Sequence, residues 1–134
     1  MKAIVTGGAG FIGTNLCKRL MSDNWEVVVI DNCSRKGCEH NLTDLKKHGT
    51  FEFHKTDIRD FDSLTKIVSN HKNADLFVHL AGQVAVTTSV EDPRMDFEVN
   101  VLGTFNILEA LRLNSFKGFT IFSSTNKVYG GMEH

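Results

Sequence analysis

Val5-Thr6-Gly7-Gly8-Ala9-Gly10-Phe11-Ile12-Gly13 is the stretch on which the reading of this chain turns. An apolar run, Ala3-Ile4-Val5, leads into it, and a helical pattern leaves it. Gly8, Gly10 and Gly13 fit G-x-G-x-x-G, and Gly7, Gly10 and Gly13 fit the spaced variant G-x-x-G-x-x-G. A tight turn from strand to helix needs positive φ, which glycine adopts without a Cβ clash. A pyrophosphate approaching the backbone is blocked by any side chain, and the following helix offers it free N–H groups and a positive dipole end. A glycine-rich turn that binds nothing has the same composition. The preceding strand, the following helix and an acid further along favour dinucleotide binding.

That acid is Asp31. It closes the β-branched run Val27-Val28-Val29-Ile30, which suits a strand buried on both faces of a parallel sheet. A carboxylate at this offset from the glycines accepts hydrogen bonds from the adenosine ribose hydroxyls. It also repels a 2′-phosphate, which argues for NAD over NADP. A turn-forming Asp31-Asn32 is the structural alternative, and Arg35 and Lys36 keep NADP open as the minority reading.

Outward from this unit, strands alternate with helices. A helix is expected over Phe11 to about Met21, with Ile12, Leu16 and Leu20 on one stripe. Ser34 to Thr50 reads as a loop with a short helix around Leu42 to Lys47. Phe51 to His54 alternates apolar and polar, as a half-exposed strand near a sheet edge does. Asp60 or Asp62 can cap the next helix, whose stripe is Phe61, Leu64, Ile67 and Val68. Leu76 to Leu80 is a buried strand in which His79 reads as a packed core histidine. Val84 to Glu91 reads as a hydroxyl-rich loop. Asp92-Pro93 starts a helix that runs to about Asn114, with Phe97, Val101, Phe105, Leu108 and Leu111 on one side. Gly118 to Ser123 is the last strand.

This alternation implies right-handed crossovers and an α/β fold: a Rossmann-type parallel sheet of five strands in the order 3-2-1-4-5, with helices on both faces. The 134 residues suffice for one domain with a real core. A formal net charge of −1 gives no reason to expect nucleic acid or an anionic membrane surface. No signal peptide and no membrane-length apolar run is read, so the expected setting is cytoplasmic. Cys17, Cys33 and Cys38 are odd in number and read as free thiols; the six histidines are scattered, and no metal is expected.

With Asp57-Ile58-Arg59-Asp60, His79-Leu80-Ala81-Gly82-Gln83, Ser89 with Asp92-Pro93, Asn100-Val101-Leu102-Gly103-Thr104 and Ser123-Ser124-Thr125 leading to Val128-Tyr129-Gly130, the chain resembles the extended short-chain dehydrogenase/reductase family. These are the NAD-dependent nucleotide-sugar epimerases and dehydratases, and the likeness runs the length of the chain. The loops 82–89 and 124–130 look most like those of CDP-sugar 2-epimerases; 4-epimerases and 4,6-dehydratases are the alternatives within the family. The resemblance implies an NAD site made of Gly7, Gly10, Phe11, Ile12, Gly13, Asp31, Asn32, Asp57, Ile58, Leu80, Ala81, Gln83, Asn100 and Ser123. It implies a catalytic role for Thr125, holding the sugar hydroxyl while a tyrosine acts as base.

The family's Tyr-x-x-x-Lys is not found: the one tyrosine is Tyr129, and the residue four later is Glu133. The expectation is therefore a partial NAD-binding domain over residues 1–134, with the catalytic tyrosine and lysine and the sugar-binding lobe lying beyond it. A nucleotide sugar, CDP-linked by preference, and a second copy of the chain are the expected partners. An inactive NAD-binding module is the competing reading.

Overall fold

The computed structural model describes residues 1–125. Among them five parallel strands stand in the order β3-β2-β1-β4-β5, as expected from the alternation. They are β1 (Lys2–Thr6), β2 (Glu26–Asp31), β3 (Glu52–Lys55), β4 (Leu76–His79) and β5 (Phe119–Phe122). The helices are α1 (Phe11–Ser22), α2 (Cys38–His48), α3 (Phe61–Asn70), α4 (Val86–Glu91), α5 (Pro93–Phe97) and α6 (Gly103–Leu113).

The continuous apolar runs serve two cores at once, because successive strand side chains point to opposite faces. Ile4, Val28, Ile30 and Phe77 pack on one face with Leu64, Ile67 and Val68 of α3 and Ile107, Ala110 and Leu111 of α6. Ala3, Val5, Val27, Val29 and Val78 pack on the other with Cys17 and Leu20 of α1 and Leu45 of α2. β3 is the half-exposed edge strand expected from its alternation. Asp60 caps α3 by accepting a hydrogen bond from Ser63 N, and Asp92 does the same for α5 from Met95 N, with Pro93 in the first turn.

Several expectations are corrected. The buried face of α1 is Gly13, Thr14, Cys17 and Leu20, while Ile12 is exposed. The helix must put its glycine, not Ile12, against the turn that precedes it. The stretch Val84–Glu91 contains a helix, α4, rather than a loop throughout. α2 is longer than the short helix expected, starting at Cys38 after Gly37, whose φ of 92° ends the loop. The single long helix from Asp92 is three pieces: α5, a π-helical turn over Glu98–Leu102, and α6. Its apolar stripe faces outward. Phe97, Val101, Phe105 and Leu108 are all more than half exposed, and only Leu111 of that row is buried. The sheet takes the other side, Gly103, Asn106, Ile107 and Ala110. Gly103 lies so close to Ile58 that an added Cβ would stand 2.6 Å from Cδ1. Finally, Cys33 and Cys38 are joined in a disulfide and only Cys17 is a free thiol, because α2 folds Cys38 back over the loop to within 5.3 Å of Cys33, Cα to Cα. Burial pushes the Cys17 thiol up to about 12, which keeps it protonated.

Candidate nucleotide-binding site at the carboxyl ends of the strands

The glycine loop joins β1 to α1 and is built with no room for side chains. Gly7 has φ +70°, and a Cβ on it would lie 2.7 Å from Ala81 N in the loop after β4. A Cβ on Gly13 would lie 2.2 Å from Gly7 O. Gly10 N donates to Gly7 O, and Thr14 N to Gly10 O, so the turn passes straight into α1. Gly10 itself has ordinary φ, and its Cβ would sit 3.1 Å from Gly7 O with nothing else nearby. Gly10 is therefore the glycine whose side-chain space lies open at the head of α1. Phe11 and Ile12 flank that space, exposed.

Asp31 ends β2 beside this loop. Its Oδ2 accepts from Ala9 N at 3.0 Å and its Oδ1 from Cys33 N at 2.8 Å. Cys33 has φ +55°, a left-handed conformation uncommon for cysteine, and this directs its N–H at the carboxylate. Each carboxylate oxygen still has a lone pair to offer a ligand hydroxyl. Asn41 of α2 holds the loop from outside, donating from Nδ2 to Ala9 O at 2.7 Å.

Asp57 follows β3. Arg59 grips it from two nitrogens, at 3.0 and 2.9 Å, and Asn32 Nδ2 donates to Oδ2 at 2.9 Å. The guanidinium and these hydrogen bonds hold the Asp57 carboxyl well below the usual carboxylate range. The side chain of Ile58 is buried under α6, and Asn106 Nδ2 donates to Ile58 O and Arg59 O. Ile58 therefore backs the wall of the site, while Asp57 and Asn32 form its surface.

A chain of hydrogen bonds ties the glycine turn to the π-helical turn. Ala81 N donates to Thr6 Oγ1, and Thr6 Oγ1 lies 2.7 Å from His79 Nδ1. His79 Nε2 lies 3.0 Å from Thr104 Oγ1, whose one proton goes to Asn100 O at 2.7 Å. Thr104 oxygen must therefore accept from Nε2–H, which leaves Nδ1 to accept from the Thr6 hydroxyl. The imidazole is neutral in this arrangement, and burial pushes its pKa down to about 4. His79 is the packed core histidine expected. Asn100 then reaches the loop after β4, its Oδ1 accepting from Gln83 N at 2.8 Å and its Nδ2 donating to Gln83 O at 3.0 Å. The π turn, where the helical ladder is widened, places Asn100 there. Arg35 Nη2 donates to Gln83 Oε1 at 3.1 Å, linking the loops after β2 and β4.

Ser123 follows β5, and its Oγ donates to His79 O at 3.1 Å. Thr125 lies two residues on and is exposed. Tyr129 and Glu133 fall outside the described residues. Leu80 and Ala81 thus stand with the glycine turn, Gln83 is held by Asn100 and Arg35, Asp31 stands against the turn, Asp57 and Asn32 meet each other, and Ser123 stays on the β4–β5 side. Linear reading gave no role to Asn41, Arg59, Thr104 or Asn106. Asn41, Thr104 and Asn106 reach partners 32, 25 and 48 residues away, whereas Arg59 grips Asp57 from two residues on.

The profile of the GDP-mannose 4,6 dehydratase family matches residues 4–134, so the chain belongs to that family, whose fold and glycine turn it carries. It is 48% identical over 133 residues to CDP-paratose 2-epimerase of Salmonella typhi, covering 99% of this chain and 39% of that protein. It is 38% identical to a UDP-glucose 4-epimerase of Klebsiella pneumoniae, over 97% of this chain and 93% of that one. The crystal structure of UDP-glucose-4-epimerase from Stenotrophomonas maltophila with bound NAD and formylated UDP-arabinopyranose superposes with a TM-score of 0.90 at 28% identity, over 100% of this chain and 40% of that one. The chain thus spans about two fifths of the first and third of these relatives.

Proposed function

We propose that residues 1–134 are the NAD-binding portion of a nucleotide-sugar epimerase, acting on a CDP-linked sugar at C2. The observation that carries this reading is Asp31: the acid expected from its offset accepts the N–H of Ala9 inside the glycine loop. The residues fit the cofactor, since close packing at Gly7 and Gly13 leaves bare backbone around the open space beside Gly10, at the head of α1. Gly7, Gly10 and Gly13 would admit the pyrophosphate, with Phe11 and Ile12 at the head of α1. Asp31 would take the adenosine ribose, and Asn32, Asp57 and the wall backed by Ile58 the adenine. Leu80, Ala81, Gln83, Asn100 and Ser123 would border the nicotinamide half. When bound, NAD supplies a hydride acceptor that oxidises a sugar carbinol and returns the hydride to the opposite face. Thr125 would hold and polarise the sugar hydroxyl.

The CDP preference follows the likeness to the Salmonella protein and its 48% identity. Self-association is part of the same reading, through the exposed row Phe97, Val101, Phe105 and Leu108. Among the described residues no helix is long and apolar enough to cross a membrane. A cytoplasmic setting is the location we infer, and the Cys33–Cys38 bridge is the observation that counts against it. A second reading, an NAD-binding module without turnover, rests on the lack of Tyr-x-x-x-Lys in these residues.

Calorimetric titration tests the site. Gly10→Val, whose Cβ would stand 3.1 Å from Gly7 O and otherwise in open space, should abolish the heat of NAD binding. Asp31→Ala should weaken NAD by about tenfold, one lost hydrogen bond to a charged group, and weaken NADP less. Equal heats for wild type and Gly10→Val would remove the assignment. An unchanged NAD/NADP ratio in Asp31→Ala would move cofactor choice to Arg35 or Lys36.

A further inference from the structure

We propose that Glu52, His54 and His71 form a zinc-type divalent metal site that clasps edge strand β3 to the end of α3. Glu52 and His54 are two apart on β3 and so share one side of the strand. His71 arrives from the C-cap of α3. Both imidazoles address one atom: His54 Nε2 lies 2.8 Å and His71 Nε2 3.2 Å from Glu52 Oε1. The rings meet edge-on at 66°, centroids 5.9 Å apart, and one donor atom of each residue lies within 4.8 Å of the other two.

Two nitrogens and a carboxylate oxygen are a donor set zinc accepts, with water in the fourth position. Metal–ligand bonds of about 2.0–2.1 Å put tetrahedral ligand atoms about 3.3 Å apart, so Glu52 Oε1 need only draw back slightly from each imidazole. His71 is buried, His54 a quarter exposed and Glu52 half exposed, so the donors are anchored at one end and open to an entering ion at the other. The C-terminal end of a helix favours positive charge, so an ion bound at the His71 cap would stand at a favourable end of α3. The ion-pair partners of Glu52 among the described residues are these two imidazoles. His71 Nδ1 has no hydrogen-bond partner, and the missing second contact should lower affinity by about 10–100-fold relative to a site that has one. Glu52 opens β3, at the end of the sheet away from the glycine loop, so the ion would brace the fold without touching the nucleotide site.

Zinc alone, titrated into the 134-residue chain by calorimetry, should bind one equivalent and raise the melting temperature. Glu52→Gln and His54→Ala should each cost at least about tenfold in affinity, as loss of a ligand does. His40→Ala, exposed on α2, should cost nothing. The buried His71 is left in place so that the variants fold. Cobalt should show tetrahedral d–d bands without thiolate charge transfer. Equal zinc affinity in wild type and the Glu52→Gln/His54→Ala double variant would overturn the proposal. So would a thiolate band, or no zinc uptake by the wild type.

Discussion

The two flanks of this one sheet use the same kind of sequence in opposite ways. On the β1–β2 flank, Ala3, Ile4, Val5, Val29 and Ile30 are wholly buried, and the exposed large apolar residues of the adjoining α1 are Phe11 and Ile12, at the glycine loop. On the β4–β5 flank, Val84, Val86, Val90, Phe97, Val101, Phe105, Leu108, Phe119, Ile121 and Phe122 are all more than half exposed. Every residue of β5 is exposed, while four of the six in β2 are buried. The first flank is covered by its own helices and carries the complete glycine turn. The second displays apolar surface, as a face does that meets further protein. Hydrophobic content alone does not tell these apart; the direction in which the side chains point does.

If the flanks divide cofactor binding from sugar chemistry, the largest expected effect is on turnover. Given NAD and a CDP-linked sugar, the 134-residue chain should yield no epimer, followed by nicotinamide absorbance and product analysis. A base contributes about 10²–10⁴ in rate, and Thr125 has no accessible proton-accepting form at neutral pH. Turnover would break the comparison and point to Tyr129 or Lys127. Next comes the packed turn. Gly13→Ala drives a methyl against Gly7 O and should cost about 3 kcal/mol in denaturant unfolding. A neutral result would mean that the first flank is looser than its contacts.

His79 joins the flanks and should impose a pH dependence. Its folded pKa is about 4 against about 6.5 unfolded, so the unfolded chain binds the extra proton between those values. Stability should therefore fall as pH drops from about 6.5 toward 4, by at most about 3 kcal/mol, and His79→Gln should flatten that slope. Asp57, with its folded pKa depressed, adds its own loss as pH falls through the ordinary carboxylate range toward that lower value. The smallest expected effect on stability is Phe105→Glu on the open flank, within about 0.5 kcal/mol. Light scattering should nonetheless show it shifting the chain toward monomer. A wild-type monomer at high concentration would leave that surface to another partner.

The placement of much of the candidate site was legible in the linear chain. Gly7, Asp31, Asp57, Leu80 and Ser123 each end or follow a strand, and parallel strands bring such positions to one edge. What was not legible lies in pairs distant in sequence. Asn106 serves the carbonyl of Ile58, Asn41 that of Ala9, and His71 meets Glu52 and His54 across 19 and 17 residues. No spacing rule links such partners, because the fold alone sets the distance between them.

The sequence by itself determined the glycine turn, the acid after β2 and the strand order, because these follow from local constraints. A Cβ cannot enter the turn, β-branched runs need two covered faces, and alternating strands and helices need parallel crossovers. The tertiary structure alone decided which side of α6 meets the sheet. Gly103, Asn106, Ile107 and Ala110 lie inward because a glycine lets the helix settle on Ile58 and Asn106 satisfies two carbonyls there. It also decided the tautomer of His79, set by Thr6 and Thr104 from two other elements. Helical periodicity marks a stripe, but what lies against that stripe is settled only when the other elements have packed.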